Sequence, residues 1–478
     1  MPDILQPDIC VIGAGSGGLS VAAAAAAFGV PVVLVEKGRM GGECLNTGCV
    51  PSKALIAAAR HAADIAAAEQ FGITAGPARV DFARVRDHIR DVIAAIAPND
   101  AKERFTGLGV QVIAGAARFT DAATVAVGDS VEIKARRFVI ATGSSPAIPP
   151  IAGLAETPHL TNATIFDLAE CPRHLLVIGA GPMGLELAQA FRRLGAAVTV
   201  LEAAAPLAAE DPECAAVVLD ALAREGVAIR AGVTIARVRR AQEQAAGVQL
   251  VIAAGGREEV VDGSHLLVAA GRVPSIADLG LDLAGIRHGP RGIAVDPRMR
   301  TTNRRVYAIG DVTGGPQFTH VANYHAGLVV RHALFRLPVR ARYDAIPRVT
   351  FTAPELAQVG LTEAEAKARG SRVRLLRWPY HENDRAQAER ATRGHIKVVT
   401  TRGGRILGAT IVGRNAGELI ATFALGIENG LNIRAFAGTV VAYPTLAEVG
   451  KRAAITHFAA RLTRPAVRRI IAWLRRLG

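Results

Sequence analysis

Cysteine is scarce in this chain: five residues among 478, at Cys10, Cys44, Cys49, Cys171 and Cys214. An odd, scattered set excludes the disulfide scaffold of a small secreted domain, and no second cysteine pair exists to complete a zinc site. A basic leader is also missing, since Asp3 and Asp8 precede the first apolar run, so no secretory signal is read. Ile9–Val35 is apolar enough to imitate a membrane span, but its glycine spacing breaks it into strand, turn and helix. No transmembrane segment is expected, and the cytoplasm is the expected compartment. Aromatic residues reach only 4%, and alanine fills much of the helical sequence. Acid is short relative to base, 42 Asp and Glu against 56 Lys and Arg, for a net charge of +14. The basic residues are spread along the chain without a nucleic-acid motif, so no nucleic-acid partner is expected. The charge reads as a solvated arginine surface that helps to attract an anionic dinucleotide. With 50% hydrophobic and 21% charged residues, the chain is globular and long enough for two or three domains.

Against that scarcity, two cysteines lie five positions apart in Gly41-Gly42-Glu43-Cys44-Leu45-Asn46-Thr47-Gly48-Cys49-Val50-Pro51-Ser52-Lys53. Pro51 suits the first turn of a helix, where a missing N–H costs nothing. Cys49 therefore falls at a helix N-terminus, where unpaired N–H groups and the helix dipole favour a thiolate. A plain disulfide or half of a metal site is the ordinary alternative. The segment resembles the active-site signature of the flavin-dependent pyridine nucleotide-disulfide oxidoreductases, a family that includes glutathione reductase, dihydrolipoamide dehydrogenase and mercuric reductase. The resemblance implies that Cys49 packs against a flavin and that Cys44 is the outer thiol, exchanging with substrate. It also places Lys53, one helical turn after Cys49, near the flavin and pairs it with a glutamate on the nicotinamide-domain helix, matched here by Glu186.

Two further stretches carry nucleotide chemistry. Asp8–Ile12 reads as a strand, followed by Gly13-Ala14-Gly15-Ser16-Gly17-Gly18, an alanine-rich helix, the strand Val32–Val35 and Glu36. This is the dinucleotide fingerprint: Gly13 for the tight turn, Gly15 for approach of a pyrophosphate, Gly18 for close packing, and Glu36 for the ribose. The pattern recurs at Leu175–Ile178, Gly179-Ala180-Gly181-Pro182-Met183-Gly184, a helix to Leu194, Ala197–Leu201 and Glu202. Two fingerprints point to two dinucleotides, FAD and NAD. Glu202 suits a free 2′-hydroxyl and repels a 2′-phosphate, and Ala203-Ala204-Ala205-Pro206 supplies no clamping arginine, so NADH is preferred over NADPH. Arg192 and Arg193 on the intervening helix are the residues that would reverse that preference. Gly143, in Ala141-Thr142-Gly143, and Gly271, in Gly271-Arg272-Val273-Pro274, mark strand-end exits from the two units. Val306–Asp311 resembles the family's second flavin motif, whose aspartate, here Asp311, binds the ribityl chain.

The C-terminal site departs from a simple reductase. Family members acting on lipoamide or glutathione carry a histidine, given by the partner subunit, ahead of a Pro-Thr pair. Here the run is Ala442-Tyr443-Pro444-Thr445-Leu446-Ala447-Glu448. An ordinary tyrosine is a poor base at neutral pH, whereas imidazole titrates in range. Mercuric reductases share the tyrosine, and Pro316-Gln317-Phe318 and Asn383-Asp384-Arg385-Ala386 lean the same way. They also carry a metal-delivering cysteine pair near the C-terminus, and no cysteine follows Cys214 here. The family's resident metal is none.

The expected fold is α/β, with two Rossmann-like domains, the second inserted into the first, and an α+β C-terminal dimerisation domain. FAD binding is assigned to 1–146 and 275–342, NAD(P) binding to 147–274, and the dimer interface to 343–462; 463–478 is a basic amphipathic tail. The expected activity is electron transfer from NADH through FAD to Cys44–Cys49, then to a small disulfide, a soft metal ion or a similar acceptor, in a homodimer that shares its active site. Dihydrolipoamide dehydrogenase is the alternative, and a non-enzymatic flavoprotein binding a partner through its tail the lower one. For that tail, packing on its own dimer is favoured over contact with a membrane surface.

Overall fold

The computed structural model describes residues 2–241, 247–370, 372–462 and 465–477. Five strands form a parallel sheet in the order Val306–Ala308, Arg137–Ile140, Ile9–Ile12, Val32–Glu36 and Val110–Ala114. All but the edge strand Val110–Ala114 are short runs of largely β-branched and aliphatic residues buried on both faces, as a helix-covered parallel sheet requires. The Ser16–Ala27 helix follows strand Ile9–Ile12, its alanines allowing close approach to the Thr319–Phe335 helix. Strand 306–308 returns to this sheet after a second parallel sheet has been built from Val227–Ala231, Ala197–Glu202, His174–Ile178 and His265–Val268. The second unit is thus inserted into the first. The crossing segments run side by side: Ser144–Pro146 pairs antiparallel with Arg272–Pro274.

The C-terminal part changes texture, as expected. Its sheet is antiparallel, in the order Arg348–Thr350, Glu355–Gly360, Ile406–Gly413, His395–Thr401 and Val373–Pro379. The Ala416–Glu428 and Glu448–Leu462 helices pack against it.

The stretch 82–107 forms two helices, Phe82–Ile96 and Lys102–Gly107, parted around Pro98, which cannot donate to the helical ladder. The alternating stretch 131–141 turns between Ile133 and Arg137 and feeds two sheets: Val131–Ile133 pairs with Asp3–Leu5 and Val125–Val127, whereas Arg137–Ile140 joins the five-stranded sheet. Among the described residues no helix is long and apolar enough to cross a membrane. Of the expected tail, Thr463, Arg464 and Gly478 lie outside the described residues; Pro465–Leu474 is helical.

One core fixes the relation of the parts around the cysteines. Leu55 and Ala59 of the Cys49–Ala67 helix pack with Phe82 and Ile89, and with Leu185 and Phe191 of the Pro182–Arg193 helix. The Phe82 and Phe191 rings stand 5.8 Å apart. Burial of each large side chain contributes about 2–3 kcal/mol, so the helix carrying the cysteines is anchored on the helix carrying Glu186.

Candidate active site

Cys49 is the first residue of the Cys49–Ala67 helix, with Gly48 as N-cap and Pro51 inside the first turn. Cys44 lies in the short preceding helix Gly42–Asn46. Both thiols are free; Cys49 is exposed and Cys44 half-buried. The Cys44 thiol donates to the Cys49 sulfur, and that bond is the largest influence bringing the Cys49 thiol down to about 6. Burial opposes it; Thr319, whose hydroxyl lies 3.5 Å from the Cys49 sulfur, and the Lys53 charge assist it. The same bond, with burial, pushes Cys44 up. The pair therefore holds one proton on Cys44 and a thiolate on Cys49, the sulfur at the helix N-terminus.

Lys53 Nζ donates to Glu186 Oε2 at 2.7 Å and lies 4.4 Å from the centroid of the Phe351 ring. Glu186 is 5% exposed, and its other oxygen accepts the Phe351 N–H at 2.9 Å. The two residues expected as a pair are thus in contact, each on one of the packed helices. Thr319 and Phe351, which complete this corner, were not singled out in the sequence, because each becomes a neighbour only through tertiary packing.

The glycine turns fit two dinucleotides. Gly13 has φ +104°, and a Cβ there would stand 2.5 Å from the Ala141 carbonyl oxygen; a Cβ on Gly18 would stand 1.9 Å from that of Gly13. Gly15 and Gly42 approach so closely that a Cβ on Gly42 would come within 2.6 Å of the Gly15 Cα. The second turn repeats the geometry, with Gly179 at φ +108° and a Gly184 Cβ 2.1 Å from the Gly179 oxygen; around Gly181 the space is open. Glu36 accepts the Ala14 and Gly38 N–H groups at 2.5 and 2.7 Å, and Glu202 accepts those of Ala180 and Ala204 at 2.8 and 2.9 Å. Each carboxylate is thereby fixed at the mouth of its turn, with lone pairs left to accept ribose hydroxyls. Such a cradle of bare backbone ahead of a helix N-terminus suits a pyrophosphate.

Asp311 accepts the Ser144 hydroxyl at 2.6 Å, and Ser144 in turn accepts from Arg272 Nε at 2.7 Å. The Arg272 guanidinium also grips the Glu43 carboxylate, which accepts from Asn162 as well. Burial raises the Glu43 carboxyl against the pull of Arg272. Glu43, Ser144, Asn162 and Arg272 tie the cysteine loop to both crossing strands. Gly143 and Gly271, at φ +69° and +115°, turn the chain at the ends of those crossings.

Tyr443 and Glu448 belong to a separate corner. Tyr443 is 70% exposed and its hydroxyl donates to Asp384 at 2.9 Å, a bond to a carboxylate that raises its pKa above the ordinary tyrosine value. Asn383 caps the Asp384–Ala388 helix and donates to the Thr445 carbonyl at 3.0 Å, so the two C-terminal segments singled out in the sequence meet. Glu448 opens the Glu448–Leu462 helix and lies 4.0 Å from Arg452. Within one chain, neither residue is among the groups in contact with the dithiol.

A family described as pyridine nucleotide-disulphide oxidoreductase matches residues 7–326, and its dimerisation domain matches 346–454. A mercuric reductase of Streptomyces lividans is 37% identical over 458 residues, 94% of this chain and 96% of the relative. A dihydrolipoyl dehydrogenase of Geobacillus stearothermophilus is 38% identical over 456 residues, with the same coverage of 94% and 96%. The Cu(II) complex of RclA, an HOCl-induced flavoprotein disulfide reductase from Escherichia coli, superposes with a TM-score of 0.85 at 27% identity, over 94% of this chain and 99% of that one.

Proposed function

The chain belongs to the pyridine nucleotide-disulphide oxidoreductases, FAD-dependent enzymes that use NAD(P)H, and on that premise we propose that it carries electrons from NADH to the Cys44–Cys49 pair and on to a small disulfide, a soft metal ion or a similar acceptor. FAD, held by the Gly13–Gly18 turn, Glu36, Gly42 and Asp311, supplies the two-electron relay between nicotinamide and dithiol. The observation that carries the proposal is the polarised dithiol: a Cys49 thiolate at a helix N-terminus, one turn from the Lys53–Glu186 ion pair. Reduction of the disulfide takes up two electrons and one proton, the equivalent of the hydride that NADH gives; the S–S bond breaks, the proton rests on Cys44 and Cys49 is left as the thiolate. The Cys44 proton then passes to the neighbouring Cys49 sulfur, and Cys44 attacks the acceptor as the thiolate.

NADH is the proposed donor. Arg193 makes two bonds of 2.7 Å to the Glu225 carboxylate, and Arg192 donates to the Glu225 carbonyl at 2.8 Å, both at the far end of the Pro182–Arg193 helix from the nucleotide turn. Both arginines of that helix are thus engaged away from Glu202, whose carboxylate supports a free 2′-hydroxyl.

Tyr443 in place of an imidazole supports an acceptor that needs no base at neutral pH, as in the mercuric reductases, over dihydrolipoamide. A second reading, dihydrolipoamide dehydrogenase, is favoured by the similarity to the Geobacillus stearothermophilus enzyme. We also propose a cytoplasmic homodimer in which the partner supplies Tyr443 and Glu448. Steady-state turnover with lipoamide, glutathione disulfide and mercuric ion, each with NADH and NADPH, tests these assignments. The proposal expects NADH to outperform NADPH and lipoamide to be slow; fast, reversible lipoamide reduction would overturn it in favour of the second reading.

A further inference from the structure

The Pro465–Leu474 helix lies beyond the segments that match the family, and no residue in it is buried in the fold. Its apolar side chains are nevertheless arranged on one side. Val467, Ile470, Ile471, Trp473 and Leu474, continued by Leu477, fall within about half of the helical circumference at 100° per residue. Ile470, Ile471, Trp473, Leu474 and Leu477 are 57%, 50%, 60%, 50% and 67% exposed. The opposite arc holds Arg468, Arg469, Arg475 and Arg476, and residues 465–477 contain no acidic side chain. Two arginines border each edge of the apolar stripe, where their aliphatic stems can lie along it while the guanidinium groups reach outward.

A helix packed on a protein core needs the apolar stripe but gains nothing from four cations without a counter-ion. A nucleic acid would use the cations and leave five large apolar side chains and a tryptophan in water. Only an anionic lipid surface takes both faces at once: the stripe enters the acyl boundary, Trp473 sits at the headgroup level, and the arginines meet lipid phosphates. We propose that this helix docks the enzyme reversibly on membranes rich in anionic phospholipid, lying in the plane of the surface. Ten residues with one apolar face give weak binding, so two copies in a dimer would act together through their effective concentration.

The test uses the full-length holoenzyme with vesicles of phosphatidylcholine alone and of phosphatidylcholine with phosphatidylglycerol. Co-sedimentation is expected with the second and not with the first, and emission from Trp473, one of two tryptophans in the chain, shifts to the blue. An Arg475→Gln, Arg476→Gln double variant should weaken pelleting by about five-fold per arginine, and Ile470→Ser, Ile471→Ser should abolish it, with NADH-dependent flavin reduction unchanged in both. Negligible pelleting on anionic vesicles, or equal pelleting of the wild type and the Ile470→Ser, Ile471→Ser variant, would overturn the proposal. So would a change from dimer to monomer in that variant by light scattering, which would assign the stripe to a second copy of the chain.

Discussion

Cys49 carries the charge of the reduced pair because Cys44 carries the proton. The donation from Cys44, the Thr319 hydroxyl and the Lys53 charge act together against burial, and bring Cys49 to about 6 while Cys44 rises. Alkylation of the reduced protein should therefore follow the thiolate of Cys49. Its rate should climb through about pH 6 and level off above it, whereas an unperturbed thiol climbs near about 8.5. Replacing Cys44 by alanine removes the largest of the three supports and should move the midpoint upward. A midpoint unchanged by Cys44→Ala, followed by mass spectrometry of the Cys49 peptide, would show that the pair is not what polarises the thiol. At this scale the sequence was informative where function is local. The cysteines, Pro51 and Lys53 lie within ten positions and announce themselves by spacing. The Arg272–Glu43 contact spans 229 positions, and no spacing rule connects its members.

The two strand–turn–helix units are built alike, down to the carboxylate that closes each turn. Both were legible because each glycine answers to a clash within a few residues: Gly18 against Gly13, Gly184 against Gly179. Alanine at either site pushes a methyl group into a backbone carbonyl, and overpacking of that kind costs about 1–3 kcal/mol. Gly184→Ala should raise the Michaelis constant for NADH by about tenfold or more and leave FAD bound. Gly18→Ala should yield protein depleted of FAD, read from the visible spectrum after purification. Loss of flavin from Gly184→Ala would mean that the units are not separate sites. Other elements were less legible. The run 131–141 alternates apolar and charged residues from Val131 to Arg136 and divides between two sheets, a choice made by pairing partners and not by composition. The Thr319–Phe335 helix begins after Phe318 with no side-chain cap to mark it, although its first residue faces Cys49.

The whole molecule depends on joints between its units, and one of them is electrostatic. Lys397, 3% exposed on the C-terminal sheet, meets Asp211 at 2.8 Å, Glu213 at 3.1 Å and Glu363 at 2.8 Å. Three carboxylates hold its proton firmly despite burial, and Arg377 and Lys397 bring Glu213 down to about 2. Lys397→Met would leave the buried Asp211 carboxylate without its cation and should lower the stability of the wild-type fold by about 3–5 kcal/mol, measured by denaturant unfolding. Because the folded Glu213 lies below its unfolded value, its contribution is fully present above about pH 5. It is lost as the pH falls toward about 2, so the mutational loss should shrink in that window. A loss that grows with acidity would contradict the assignment. The joint was invisible in the sequence, since a lysine in a strand reads as solvated until the sheet is packed.

The account stands on electrons reaching two particular sulfurs. Anaerobic addition of NADH to the oxidised holoenzyme, followed by alkylation of every accessible thiol and peptide mass spectrometry, measures that directly. The account predicts two newly alkylated residues per chain, Cys44 and Cys49, formed with NADH consumption and bleaching of the flavin. Bleaching without new thiols, or new thiols at Cys171 or Cys214 instead, would contradict it.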